Sequence, residues 1–232
     1  MLAEVRKHTF GRLEGPDINE SILVVVAFVE KHLATFSCEY AGSTIKNEKG
    51  LTQELCILLN YQTWSHGYSF KFEKAYMEDV EKGNSAEVDI GVIMIDAKYQ
   101  SCRKSFFSME AKRLDKISKT REKEYLVGRE EKGKYKKCGG VERFKEGIHG
   151  KGLRYGAVIG YVQRFDFNHW HRTINSWIDA LIEGLIPSNV RWTEKDKLSE
   201  EYKGMATAKF KSENSRITGS IILFHLWVNL VK

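Results

Sequence analysis

The chain has 232 residues, 42% of them hydrophobic and 12% aromatic, which is enough for one sizeable domain with a packed core and too apolar for a disordered tail. Two prolines against 19 glycines exclude collagen-like and proline-rich architectures. The 37 Lys+Arg exceed the 31 Asp+Glu by a formal +6, a mild surplus that is unevenly spread.

Elements are predicted in chain order as follows. Asn19 to Phe36 carries possible caps at Asn19 and Ser21 and then a helical-length apolar stretch, which predicts a helix. From Thr44 to Asn60, Leu51, Leu55, Leu58 and Leu59 recur at helical spacing, with Glu54 at the edge of the stripe. Phe70 and Phe72 alternate with Lys71 and Glu73 in a first strand. Glu87–Asp96 and Lys104–Arg113 read as second and third strands. A charged helical stretch is expected to about Tyr135, and Gly139-Gly140 opens another helix, Val141–Glu146. Tyr155–Val162 is near-continuously apolar, as in a strand covered on both faces. Phe167–Leu185 is an amphipathic helix. Met205–Lys211 and Ile217–Val231 form a terminal hairpin turning through Ser212–Arg216. The expected fold class is α/β: one domain with a mixed sheet flanked by helices, its core at about 44–185, a helix at 19–36 and a hairpin at 205–231.

Charge is concentrated between Lys98 and Arg154, where 18 Lys+Arg face 8 Asp+Glu, leaving the remainder at −4. A positive field of this kind suits a polyanion, because phosphate contacts release counterions. A solvated lysine-rich face has the same composition, so charge alone only raises nucleic acid as a partner. Cys38, Cys56, Cys102 and Cys138 show no C-x-x-C spacing, which fits reduced thiols in a cytoplasmic protein. The longest uninterrupted apolar runs, Ile22–Val29 and Ile221–Phe224, fall short of a membrane span, and no secretory-signal order precedes the first. No membrane partner is expected.

Strand periodicity places Phe106, Ser108, Glu110 and Lys112 on one face of the third strand and Phe107, Met109 and Ala111 on the other. Asp89 stands among Val88, Ile90, Val92 and Ile93 in the second strand. Carboxylates in core strands require a compensating cation, and a hard divalent ion takes oxygen ligands of this kind. Acid-x-Lys occurs four times, at Asp96/Lys98, Glu110/Lys112, Glu130/Lys132 and Glu201/Lys203. The third lies in a charged stretch and the fourth in a polar loop. Asp96 follows Asp89 on one strand, about 23 Å away at roughly 3.3 Å per residue, too far to share a metal. Glu110/Lys112 alone sits on a separate strand able to lie beside Asp89.

Glu54 on a helix, Asp89 in a core strand and Glu110-Ala111-Lys112 in the next resemble the PD-(D/E)XK nuclease superfamily, the restriction-endonuclease-like fold, over roughly Thr44–Val162. Val88 stands where the family name implies proline. The resemblance implies a Mg2+- or Mn2+-dependent endonuclease in which Asp89, Glu110 and Glu54 hold the metal and Lys112 activates or orients the attacking water. It also implies DNA as substrate, with host defence or genome maintenance as the setting. Gly139–Phe144 is similar to the basic helix beside such sites. Arg113, Lys134, Lys136, Lys137 and Arg143 are the expected nucleic-acid contacts.

Two other readings stand beside this one. The chain is a nucleic-acid-binding module that kept the fold and lost catalysis, or an assembly subunit whose basic stretch binds an acidic partner. A homodimer, with Met205–Val231 as an exposed edge, or a targeting partner protein fits a chain with no visible recognition domain. His169 and His171 lack a third ligand at metal spacing and read as structural or surface histidines. His66 and His149 flank glycines, where they could touch substrate, but read as ordinary loop histidines, and Gly147–Gly152 lacks the context of a phosphate-binding loop.

Overall fold

In the computed structural model, which describes residues 18–82, 85–95, 104–115 and 121–232, the N-terminal apolar run forms α1 (Ile18–Tyr40). It buries Val25, Val29, Leu33 and Phe36, and full burial of each such side chain stabilises by about 1.5–3 kcal/mol. Its Ser21–Tyr40 stretch is long and apolar enough to cross a membrane by length and composition, which uninterrupted runs alone do not reveal, and half of it is buried in the protein. Next comes α2 (Glu48–Ser65), capped by Asn47, whose side chain accepts the Gly50 amide at 2.7 Å.

Three strands follow: β1 (Phe70–Met77), β2 (Glu87–Met94) and β3 (Phe107–Leu114). The described part of the charged stretch after them, from residue 121, is not an α-helix. A single 3-10 turn, Glu122–Tyr125, leads into a hairpin of β4 (Arg129–Glu131) and β5 (Lys134–Lys136). Lys132 and Gly133 at its tip both have positive φ, 53° and 72°, the backbone that a tight two-residue hairpin needs and a helix forbids. The short helix α3 (Gly140–Lys145) then precedes β6 (Tyr155–Val162) and α4 (Phe167–Ile182). In α4, His171 Nε2 lies 2.8 Å from the Leu198 carbonyl oxygen.

The chain ends in β7 (Ser199–Lys203), β8 (Thr207–Arg216) and β9 (Gly219–Asn229). The strand order is β1-β2-β3-β6-β9-β8-β7, a seven-stranded mixed sheet in which β3, β6 and β9 run parallel and the flanking pairs antiparallel. Two terminal expectations are corrected here. Ser212–Arg216 is strand, and the turn falls at Ile217–Thr218. Ser212 and Asn214 look like turn residues but are buried: Ser212 Oγ lies 2.8 Å from His225 Nε2 and accepts Asn214 Nδ2 at 2.8 Å. Nor is Met205–Val231 the exposed edge, because β9 sits inside the sheet and β7 forms its border.

Each face of the sheet has its own core. One, with Met109, Ala111, Ile90 and Val92, packs against α1 and α2. The other, with Leu114, Val158 and Trp227, packs under α3, α4 and the Tyr125–Val127 segment. Ser108, Glu110 and Lys112 alternate with Met109 and Ala111, so they enter the second side. Cys38, Cys56 and Cys138 are free thiols.

Candidate active site

The site begins where two strands part. The β2–β3 ladder pairs Val92 with Phe107, Gly91 with Ser108 and Ile90 with Met109. At the next step Asp89 Oδ2 accepts the amide of Ala111 at 2.8 Å, which fixes the carboxylate beside the Glu110–Lys112 stretch. Burial first, and then the charge of Glu110, push the Asp89 carboxyl up to about 7, against the opposite pull of Lys112.

Glu110 and Lys112 are both buried, and Lys112 Nζ donates to Glu110 Oε1 at 2.8 Å. Arg143 Nη1 donates to the same oxygen at 3.2 Å. Burial works against the Glu110 charge, but Lys112, His149 and Arg143 outweigh it and hold the carboxyl below its ordinary range. Burial likewise opposes the Lys112 ammonium, and Glu110, Glu48 and Asp89 outweigh it, so lysine stays charged. Two neighbouring carboxyls are thus driven apart, Asp89 upward and Glu110 downward, a pattern common in sites that handle protons or cations.

The helix-borne carboxylate beside this cluster is Glu48, not Glu54. The first turn of α2 meets the carboxyl end of β3: Glu48 Oε2 accepts the Arg113 amide at 3.2 Å, and Oε1 lies 3.6 Å from Lys112 Nζ. Glu54, nearly two turns further along, instead accepts the Tyr40 hydroxyl at 2.7 Å on Oε2. That hydrogen bond, followed by burial, raises the Tyr40 hydroxyl to about 12. Asn47, Glu48, Lys112, Arg113, Arg121 and Tyr125 are among the walls of a cleft of about 140 Å3 at this point.

Of the expected nucleic-acid contacts, Arg143 reaches the acid cluster itself. Arg113 is tied down on the cleft wall, donating from Nε to Gln163 Oε1 at 2.6 Å and from Nη2 to Asp115 Oδ2 at 2.7 Å. Lys134 and Lys136 project from β5, with Lys136 paired to Glu131 at 2.9 Å, and Lys137 follows, paired to Glu146 at 2.8 Å. Buried Glu142 fixes this hairpin to α3: its carboxylate accepts the Gly128 amide at 2.8 Å, and also the Tyr135 hydroxyl and Ser188 Oγ. The glycine pair at the start of α3 is a packing requirement. A Cβ at Gly139 would lie 2.3 Å from the Val127 carbonyl carbon, and one at Gly140 would lie 3.3 Å from Lys112 Cγ.

Sequence reasoning missed His149 and Glu78. The loop after α3 carries His149 into the interior, where Nε2 stands 3.4 Å from Glu110 Oε2 and 3.2 Å from Arg143 Nη1. On its far side Nδ1 lies 3.7 Å from Glu78 Oε2. Glu78 accepts the Gly150 amide at 2.9 Å and the Ser108 hydroxyl. Burial raises the Glu78 carboxyl, yet His149, Ser108 and Gly150 together bring it below its ordinary range. The only sequence signal was the alternation that puts Ser108 on the face of Glu110 and Lys112.

Donor chemistry and charge at this cluster fit a hard divalent cation. Buried Glu110 Oε2 makes no hydrogen bond, and burial and the neighbouring Glu110 charge disfavour the ionised form of Asp89, which a cation would favour. Among the described residues no three His, Cys, Asp or Glu side chains already converge on one point. Mg2+ commonly takes one or two carboxylates and fills its shell with water and substrate phosphate oxygens. Asp89 and Glu110 meet that lower requirement. No protein-family model matches the chain, and no curated protein or solved structure matches it significantly.

Proposed function

We propose that the chain is a divalent-metal-dependent endonuclease of the restriction-endonuclease-like, PD-(D/E)XK type, hydrolysing phosphodiester bonds in DNA. The observation that carries this reading is the buried Glu110–Lys112 pair at 2.8 Å beside an Asp89 whose carboxyl is raised to about 7. Burying such a group is costly, and a cluster that served only stability would be replaced at little loss by apolar side chains.

In this reading Asp89 and Glu110 hold Mg2+ or Mn2+, with Glu48 rather than Glu54 as the third carboxylate near Lys112. The ion, when bound, supplies an activated water and neutralises charge on the phosphoryl oxygens. Lys112, held protonated by its three carboxylate neighbours, orients the water or stabilises developing charge; it is poorly suited to act as a base. Arg121 and Arg113 line the same cleft, and the β4–β5 hairpin presents Lys134 and Lys136 to the flanking phosphates.

Incubating the purified chain with plasmid, linear duplex, single-stranded DNA and RNA, with Mg2+, Mn2+ or EDTA, tests the reading. DNA cleavage with either metal and none with EDTA is expected. Metal-independent DNA binding without cleavage would instead support the non-catalytic binding module.

A further inference from the structure

Glu110 Oε1 carries two cations at once, Lys112 Nζ at 2.8 Å and Arg143 Nη1 at 3.2 Å. They are not equivalent. The Lys112 side chain is 10% exposed and enclosed between Gly140 and Glu48. Arg143 is 27% exposed. Its Nε also donates to the exposed Lys137 carbonyl at 3.0 Å, a contact the planar guanidinium gives up together with Glu110 when it swings outward. Fully buried His149, 3.2 Å from Arg143 Nη1, stays behind if the guanidinium swings outward. Of the two cations on Glu110, only Arg143 has somewhere to go.

A divalent ion held by Asp89 and Glu110 competes for the same carboxylate oxygens. Resting on the reading of this cluster as a metal site, we propose that Arg143 is its displaceable counter-charge: it occupies Glu110 until metal binds, yields the carboxylate, and turns its guanidinium to the substrate phosphate. The exchange leaves no charge unpaired. Glu110 trades one cation for another, and Arg143 trades a carboxylate oxygen for a phosphate oxygen, which its planar fork suits equally well. Arg143 is then a catalytic residue of the proposed reaction as well as a site of backbone contact.

Calorimetric titration of Mn2+ into the full-length chain without DNA, at about pH 8 so that Asp89 is ionised, tests this. Removing a competing charge-assisted hydrogen bond should tighten Mn2+ binding about three- to tenfold in Arg143→Gln. Single-turnover DNA cleavage at saturating Mn2+ should fall about tenfold or more in the same protein. A merely structural arginine predicts the opposite sign for the metal, since a loosened site binds it more weakly. Unchanged or weaker Mn2+ binding in a folded Arg143→Gln therefore overturns the proposal. Arg143→Met, which keeps the apolar stem, serves the same test if the glutamine variant does not fold, and failure of both to fold overturns it too. Asp89→Asn separates the two levels. If it loses Mn2+ while Arg143→Gln is no tighter, only the Arg143 role fails. If wild type binds no Mn2+, or Asp89→Asn binds it equally well, the metal-site reading fails and takes this role with it.

Discussion

Asp89 Oδ2 accepts the amide of Ala111 at 2.8 Å, one step beyond the last β2–β3 ladder pair, Ile90 with Met109. A side chain there does the work of a backbone carbonyl, and the carboxylate is pinned against the neighbouring strand. Burial first, and then the charge of Glu110, from which it cannot retreat, raise its pKa against the opposing pull of Lys112 and of the Ala111 amide itself.

Metal-free Asp89→Asn should therefore be more stable than wild type at alkaline pH, on the order of 2 kcal/mol after discounting for the solvent that reaches this partly buried group. The sign follows from a folded pKa raised above the unfolded one. Wild type loses stability as pH rises from the ordinary value of 3.8 through the folded value of about 7, and no further above it. The advantage of asparagine is nil below that window and complete above it. Thermal melts in EDTA across the window check this, and a pH-independent difference would contradict it.

Lys112→Ala should abolish cleavage. It should also cost about 3 kcal/mol of stability, because a buried pair is broken even though Arg143 remains on Glu110. Mn2+ binding should survive or tighten, since lysine competes with the metal and does not ligate it. Circular dichroism, denaturant melts and calorimetry on one preparation separate these effects. Cleavage retained by this variant would move the chemistry elsewhere.

Glu48→Gln and Glu54→Gln make a contrasting pair. Glu48 touches both Lys112 and the Arg113 amide, so its neutralisation should slow cleavage about tenfold, in line with the loss of one positioned charge. Glu54 serves Tyr40, and its replacement should leave cleavage within about twofold and cost under about 1 kcal/mol of stability. The reverse order of rates would restore Glu54 to the site.

Neutralising Lys134, Lys136 and Lys137 together should weaken duplex binding and reduce its salt slope by about 0.9 for each phosphate that is no longer neutralised. Cleavage at saturating substrate should change much less. Lys136 and Lys137 are paired with Glu131 and Glu146, so part of their charge is already spent within the protein. An unchanged slope would make this hairpin an ordinary solvated surface.

Periodicity is sufficient for the central strands and for the face shared by Ser108, Glu110 and Lys112, because side-chain direction there depends on parity alone. The Gly139-Gly140 pair, a turn signal rather than a period, is sufficient for α3. Periodicity fails wherever an interaction is distant in sequence. Ser212 and Asn214 read as a turn because what buries them is out of local sight: Ser212 meets His225 on the next strand, and Asn214 donates to Ser212. Glu54 stands out in the sequence and Glu48 does not, because helical phase shows which residues border an apolar stripe and not which end of a helix abuts β3. His149 looks like a loop residue because nothing local reveals that its loop folds inward onto Glu110. The β4–β5 hairpin is masked by a charged composition that suits an exposed helix equally well.

The central claim is that Asp89, Glu110 and Lys112 form a metal-dependent phosphodiesterase centre, and the most direct measurement is the rate of DNA cleavage by wild type and by Asp89→Asn, side by side, in Mn2+ and in EDTA. The account predicts cleavage by wild type in Mn2+ alone and none by the variant under either condition. Cleavage by Asp89→Asn at the wild-type rate, or none by wild type on any nucleic acid with Mg2+ or Mn2+, would contradict it.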